Sequence, residues 1–336
     1  MELVPYNGFW IGCIQNNLIS ILLKESELFN LLPLTIQGQY LKKLTTQFSP
    51  NDNNYHSYLR QGLFLPKVEY QTDELYSFFN MDVTIIDESL SGLVHELVKE
   101  ALTNNQYVFL DVNRFFYPSG RESNKIHFGH PAFIYNINET DKYYYAFDDC
   151  LTPGHMHPYS IPFDAVESSV HYLHSRNREI RLVKVKADEK KINSFKPEFN
   201  HFSDFACLLH KDDIIIQYNQ KYQLGISCLD LYEEQLEELI HHLDENSLFA
   251  LRTSNFIQYH QRNISILNLF NSMKKIDERD YHYLTAQYEE LKDSWKLFKN
   301  KILKDIVLNN KHDYESLKKT MQSIIYTERR LSNYFN

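Results

Sequence analysis

Residues 127–149 read His127-Phe128-Gly129-His130-Pro131-Ala132-Phe133-Ile134-Tyr135-Asn136-Ile137-Asn138-Glu139-Thr140-Asp141-Lys142-Tyr143-Tyr144-Tyr145-Ala146-Phe147-Asp148-Asp149. The runs 132–137 and 143–147 are rich in aromatic and β-branched side chains, which suit a pleated, half-buried surface. Between them, Asn138-Glu139-Thr140-Asp141 has the composition of a turn. The stretch therefore predicts a hairpin. Antiparallel pairing would lay the strand start that carries His130 beside the strand end that carries Asp148.

Working outward, Tyr107 to Val112 carries a dense strand signal closed by Tyr117-Pro118-Ser119-Gly120, and Ile180 to Val185 predicts a further strand. Two helices are mixed with these strands. Cys13 to Glu25 has apolar side chains at 14, 18, 19, 22 and 23, and Gly8 and Gly12 just upstream suit a tight turn leading in. Asp87 to Asn104 places Leu90, Leu93, Val94, Leu97 and Val98 on one face. The texture changes between Lys184 and Phe205. Beyond it, Leu231–Asp244, Tyr283–Leu308 and Tyr314–Tyr334 carry apolar residues at helical spacing, for example Tyr288, Leu291, Trp295, Phe298 and Ile302. These patterns predict an α+β domain over 1–190 and an α-helical domain over 191–336.

Composition narrows the function classes. The 336 residues carry 44 acids against 35 bases, a net charge of −9, which argues against a broad nucleic-acid surface. Four cysteines, Cys13, Cys150, Cys207 and Cys228, have neither disulfide-framework nor zinc-ribbon spacing. Free thiols, no signal-peptide pattern and no apolar run long enough to span a bilayer lead to the expectation of a cytoplasmic protein without a membrane partner. His127 with His130 and His155 with His157 invite a metal reading, but no recognised zinc pattern is complete, so neither metal nor cofactor is expected. An excess of 24 Tyr and 22 Phe over 9 Gly stands out.

The chemistry-bearing candidate is Cys13. A thiol at a helix N-terminus faces unpaired N–H groups and the positive end of the helix dipole, which favour the nucleophilic thiolate. A buried, inert cysteine is the plain alternative. His130 supplies a base. Asp148 supplies a carboxylate to orient it, with Asp149 as its rival for that role. The basic stretch around Arg176, Arg178, Arg181, Lys184 and Lys186 reads either as a solvated face or as a dock for an acidic partner.

Three patches in order resemble the papain-like cysteine peptidase superfamily, on the bacterial branch of double-glycine leader peptidases and the butirosin biosynthesis protein H family. They are Trp10-Ile11-Gly12-Cys13-Ile14-Gln15-Asn16-Asn17-Leu18, Val108-Phe109-Leu110-Asp111-Val112-Asn113-Arg114-Phe115-Phe116-Tyr117-Pro118, and the His127–Asp148 stretch, spanning roughly residues 5 to 150. The resemblance implies a papain-like fold with Cys13 as nucleophile, His130 as base and Asp148 as orienter. Where the superfamily has its oxyanion-hole glutamine, six residues before the cysteine, this chain has Asn7. Tyr135-Asn136-Ile137 replaces the usual glycine after the histidine strand.

On the butirosin-like side, which includes a relative that forms amides in the closthioamide pathway, the resemblance implies an acyltransferase of thiotemplated natural-product assembly. It would take an acyl group from a phosphopantetheine-bound thioester on an acyl or peptidyl carrier protein and pass it to a small-molecule amine. A cysteine peptidase or amidase using the same residues, and a non-catalytic binding protein, are the alternatives.

Overall fold

The computed structural model describes residues 2–44, 66–196, 212–217, 220–242, 246–308 and 313–335. Along the chain come α1 (Cys13–Glu25), β1 (Gly38–Leu44), β2 (Lys67–Tyr70), α2 (Asp73–Ser77), β3 (Phe79–Ile85), α3 (Val94–Thr103), β4 (Tyr107–Asn113), β5 (Gly129–Asn138), β6 (Tyr143–Thr152), β7 (His155–Pro162), α4 (Phe163–Ser175) and β8 (Arg181–Ala187). They are followed by α5 (Glu189–Ser194), β9 (Asp213–Gln217), β10 (Gln220–Leu224), α6 (Asp230–His242), α7 (Asn246–Ser272), α8 (Glu278–Val307) and α9 (Tyr314–Phe335). The chain is thus mixed α and β, with two antiparallel sheets and a helical C-terminal region. Among the described residues no helix is long and apolar enough to cross a membrane.

Two compact units divide the chain: 1–32 with 72–197, and 33–71 with 198–336. The second boundary lies near the expected break at 190, but residues 33–71 join the C-terminal part. The reason is long-range strand pairing. β1 pairs β2 on one side and β10 on the other, so the sheet order is β2-β1-β10-β9. The C-terminal part is therefore not wholly helical, and Ile214-Ile215-Ile216 is the β-branched signal of its strand. Around this sheet α7 packs along α8 and against β2, while α9 packs on α6 and α8. Trp295, fully buried, stacks on Phe256 at 4.3 Å between ring centroids. The patterned residues Tyr288, Leu291, Phe298 and Ile302 are buried with it.

The first unit holds the sheet β3-β8-β4-β5-β6-β7. The expected hairpin forms as β5 and β6, with Phe133 opposite Phe147 and Ile134 opposite Ala146. Strand alternation then sorts the side chains. Val108, Leu110, Val112, Ala132, Ile134 and Ala146 face one way and form a core with Val94, Val98 and Ala101 of α3 and Val166, Val170 and Leu173 of α4. Phe109, Phe133 and Phe147 face the other way, with ring centroids 5.1 and 6.0 Å apart along the row. Tyr107 continues that row, and its hydroxyl accepts from Lys24 of α1 at 3.0 Å. The cysteine helix thus lies over the odd-numbered face. On the opposite face, α3 begins later than the apolar pattern predicts, because Asp87 Oδ1 accepts from the N–H groups of Ser89 and Leu90 and holds a turn there.

Candidate active site

Three polar residues buried in the apolar helix α1 fix the position of Cys13. Asn16 Oδ1 accepts from the N–H groups of Ile11 (3.0 Å) and Gly12 (3.3 Å), and its Nδ2 donates to the carbonyls of Phe9 (2.9 Å) and Tyr6 (3.2 Å). Ser20 Oγ accepts from Tyr6 N–H at 2.8 Å, and Asn17 Nδ2 donates to the Cys13 carbonyl at 2.9 Å. The loop that leads into the helix is therefore stapled to the helix's own side chains. Leu18, Ile19 and Leu22 anchor the same helix by burial. Asn7 ties this loop to β7, donating through Nδ2 to the Met156 carbonyl (2.9 Å) and accepting Met156 N–H at Oδ1 (2.8 Å). That leaves one N–H of the Asn7 amide uncommitted, where the sequence suggested an oxyanion donor.

His130 lies at the start of β5, and Asp148 and Asp149 lie in the second half of β6. His130 Nε2 lies 3.9 Å from Asp149 Oδ1. Asp149 is thus the carboxylate nearest the imidazole, where the sequence favoured Asp148. Alternation explains the exchange. Asp148 has the parity of Ala146 and turns toward the α3–α4 core, whereas Asp149 has the parity of Phe147 and turns toward the face under α1. Asp148 is fully engaged in the core: it takes Arg114 Nη2 and Cys150 N–H (2.8 Å) on Oδ1 and the Tyr117 hydroxyl (3.2 Å) on Oδ2.

The centre of the cluster is Arg114, to which the sequence reading gave no role. Its Nη2 donates to both Asp148 Oδ1 and Asp149 Oδ1, and the residue is 2% exposed. The side chains of His130, Asp148 and Asp149 bring ligand-type atoms within 4.8 Å of one another. A metal does not fit among them, because the guanidinium already occupies the cationic position between the carboxylates. The signal for Arg114 was present in the adjacent pair Asp148-Asp149: two neighbouring carboxylates at the end of a buried strand need a cation.

Arg121 supplies a second one, with Nη2 3.7 Å from Asp149 Oδ2 and 3.1 Å from the Asp149 carbonyl. It reaches there because Gly120, at φ 123°, turns the chain so that Arg121 N–H bonds the Cys150 carbonyl at 3.0 Å. A Cβ on Gly120 would stand 3.3 Å from both the Cβ and the carbonyl oxygen of Cys150. Gly120→Ala is expected to cost about 1–3 kcal/mol in urea unfolding. An unchanged midpoint would refute that requirement.

These charges set the protonation states. Burial pushes the Cys13 thiol up to about 12, helped by the negative charges of Asp149 and Asp148; Arg114 and the Ile14 N–H pull the other way and lose. This corrects the expectation of a thiolate. The helix-start amide does act on the sulfur, but desolvation and two carboxylates outweigh it. Burial and the positive charge of Arg114 push His130 down to about 3, against the attraction of Asp149. Burial also raises Asp148, whereas for Asp149 the pull of Arg114 and Arg121 outweighs burial and holds it below the usual carboxylate value. Both the Cys13 thiol and the His130 imidazole are thus held toward their neutral forms, with the charge carried by Asp149 and the arginines.

The sequence matches no known protein-family model and no curated protein. The function therefore rests on the site. Burial pushes Cys150 and Cys228 up to about 12 as it does Cys13; what sets Cys13 apart is that it is partly exposed, whereas the other two are buried. Cys207 lies outside the described residues.

Proposed function

We propose that the first unit is a cysteine-dependent acyltransferase with a papain-like arrangement, in which Cys13 is the nucleophile, His130 the base and Asp149 its orienting carboxylate. The observation that carries this is convergence: Cys13 from α1 and His130 from β5 both feel the charges of Asp149 and Arg114, although 117 positions separate them in sequence (130 less 13). In the first step His130 removes the thiol proton as sulfur attacks a thioester carbonyl. The carbon–sulfur bond to the donor breaks, and the proton passes to the departing thiolate. In the second step an amine attacks the acyl-enzyme. His130 takes the amine proton and returns it to the Cys13 sulfur as the amide leaves. In this reading the Cys13 N–H at the helix start and the remaining Asn7 N–H donate to the developing oxyanion.

Thioester exchange is nearly balanced, and with the Cys13 thiol held at about 12 the proton has to leave sulfur as it attacks, which is the task given to His130. A phosphopantetheine-bound acyl group on a carrier protein is the donor this chemistry favours. Mixing the protein with an acyl-pantetheine thioester is expected to add one acyl mass, located on Cys13 and absent in Cys13→Ala. His130→Ala should slow that acylation by about 10²-fold or more. With an amine present, amide should form faster than free acid; free acid alone assigns a hydrolase. No adduct on the wild-type protein would overturn the acyl-enzyme.

A further inference from the structure

A cleft of about 660 Å³ in the first unit is lined by His130 together with a set of polar groups that acyl transfer leaves unused. The first is His127. Asn113, 1% exposed, accepts through Oδ1 from the N–H groups of Phe115 and Phe128, both at 3.1 Å. Its Nδ2 therefore meets His127 Nδ1, at 3.1 Å, and can only donate to it. Nδ1 is then the bare acceptor, so the neutral ring carries its proton on Nε2. The ring itself is clamped between Phe115 and Tyr172, at centroid distances of 4.1 and 4.0 Å. The cleft thus holds an N–H donor of fixed tautomer and fixed orientation.

Arg176 and Arg178 line the same cleft. Asn177, at φ 52°, reverses the chain after α4, and the N–H groups of both arginines bond the Leu173 carbonyl at 3.1 and 3.0 Å. Their backbones are therefore fixed on the helix end, and Arg176 lies over the Tyr172 ring at 5.4 Å. Neither forms an ion pair with another described residue. Of the two acids in the lining, Asp111 is taken by Arg181, through Nε at 2.9 Å and the backbone N–H at 3.1 Å. Two guanidinium groups and the His127 N–H then stand against Glu179 alone. Complementing the negative end of α4 would account for the arginines. It does not account for a cavity of this size or for the clamped histidine facing the same space.

We propose that this cleft is an oxyanion subsite, in which His127 Nε2–H, Arg176 and Arg178 hold a phosphate or carboxylate carried by the substrate whose carbonyl reaches Cys13. Guanidinium forks match either group through paired N–H bonds. That the anion belongs to the acyl substrate rests on the acyl-transfer reading; anion binding itself does not.

Two measurements separate them. In Cys13→Ala protein, titration with inorganic phosphate and with acetate should give a saturable calorimetric signal, and Arg176→Gln with Arg178→Gln should weaken it by about tenfold or more. His127→Phe keeps the ring stack, loses the donor and should also weaken binding. In wild-type protein, Cys13 acylation is compared for acyl thioesters of pantetheine, phosphopantetheine and a mercapto-carboxylic acid. Faster reaction of the phosphate arm identifies a phosphate site, and faster reaction of the carboxylate arm a carboxylate site. The double arginine variant should erase either preference. Equal rates for all three thioesters with no anion binding overturn the subsite while leaving acyl transfer standing. Anion binding that persists when no thioester acylates Cys13 overturns acyl transfer and leaves the subsite.

Discussion

Arg114→Met is expected to cost about 3–5 kcal/mol of folding stability at pH 7, because it strips two buried carboxylates of the cation they share. The side chain is 2% exposed, and Asp148 and Asp149 are 2% and 8% exposed. Little water can reach them to replace the guanidinium. Tyr117 and the Cys150 N–H would still serve Asp148, and Arg121 would still approach Asp149, so the cluster is weakened rather than emptied. The pH dependence follows from the signs. Burial raises both carboxylates and Arg114 opposes it. Without Arg114 both folded-state pKa values rise above the unfolded ones, so the folded variant takes up protons as pH falls. The deficit against wild type should narrow between pH 8 and pH 5, measured by urea unfolding. A loss below about 1 kcal/mol, or one independent of pH, would mean that the cluster is better hydrated than its burial implies.

The same cluster shows how far the sequence could be read. The β5–β6 hairpin was legible because its aromatic and β-branched runs flank a clear turn, and α1 because its apolar spacing is helical. Choosing between Asp148 and Asp149 was not possible without knowing which face of β6 lies under α1, and that depends on register. The pairing shifts between Ile134 and Asn136 on β5, and again after Asp148 toward β7, at points no composition announces. The expected hairpin therefore placed the right pair of carboxylates beside His130 and could not assign their roles.

Residues 33–71 illustrate a different gap. β1 pairs with β10, bringing Leu41 opposite Leu224, and no local pattern reports a partner so distant in sequence. By contrast α4 was legible and unread: Val166, Val170 and Leu173 form a helical stripe directly after Pro162. That helix ends at Arg176 and Arg178, so reading it would have placed the basic stretch beside His130. Asn16, Asn17 and Ser20 were legible only as polar interruptions of an apolar helix. Their role as staples needs the folded loop.

For the proposed acyl transfer, these protonation states predict two different pH behaviours at the same cysteine. Alkylation by iodoacetamide requires thiolate, and Cys13 at about 12 holds about 10³-fold less of it near neutral pH than a thiol at the ordinary 9. Cys13 is therefore expected to alkylate about 10³-fold more slowly than an exposed cysteine at pH 7.5, with a rate that climbs about tenfold per pH unit through pH 11. Peptide mapping separates Cys13 from Cys150, Cys207 and Cys228. Thioester acylation should behave differently, because His130 at about 3 is already neutral across the working range and takes the proton during attack. Its rate should be flat from about pH 5 to 9. Asp149→Asn sharpens the contrast. It removes the largest charge that raises Cys13, so alkylation should speed up; it also removes the carboxylate nearest His130, so acylation should slow. An alkylation rate that levels off below pH 8 would indicate a resting thiolate–imidazolium pair. Cys13 and His130 would then be ionised before substrate binds, and the general-base mechanism would give way to nucleophilic attack by a preformed thiolate.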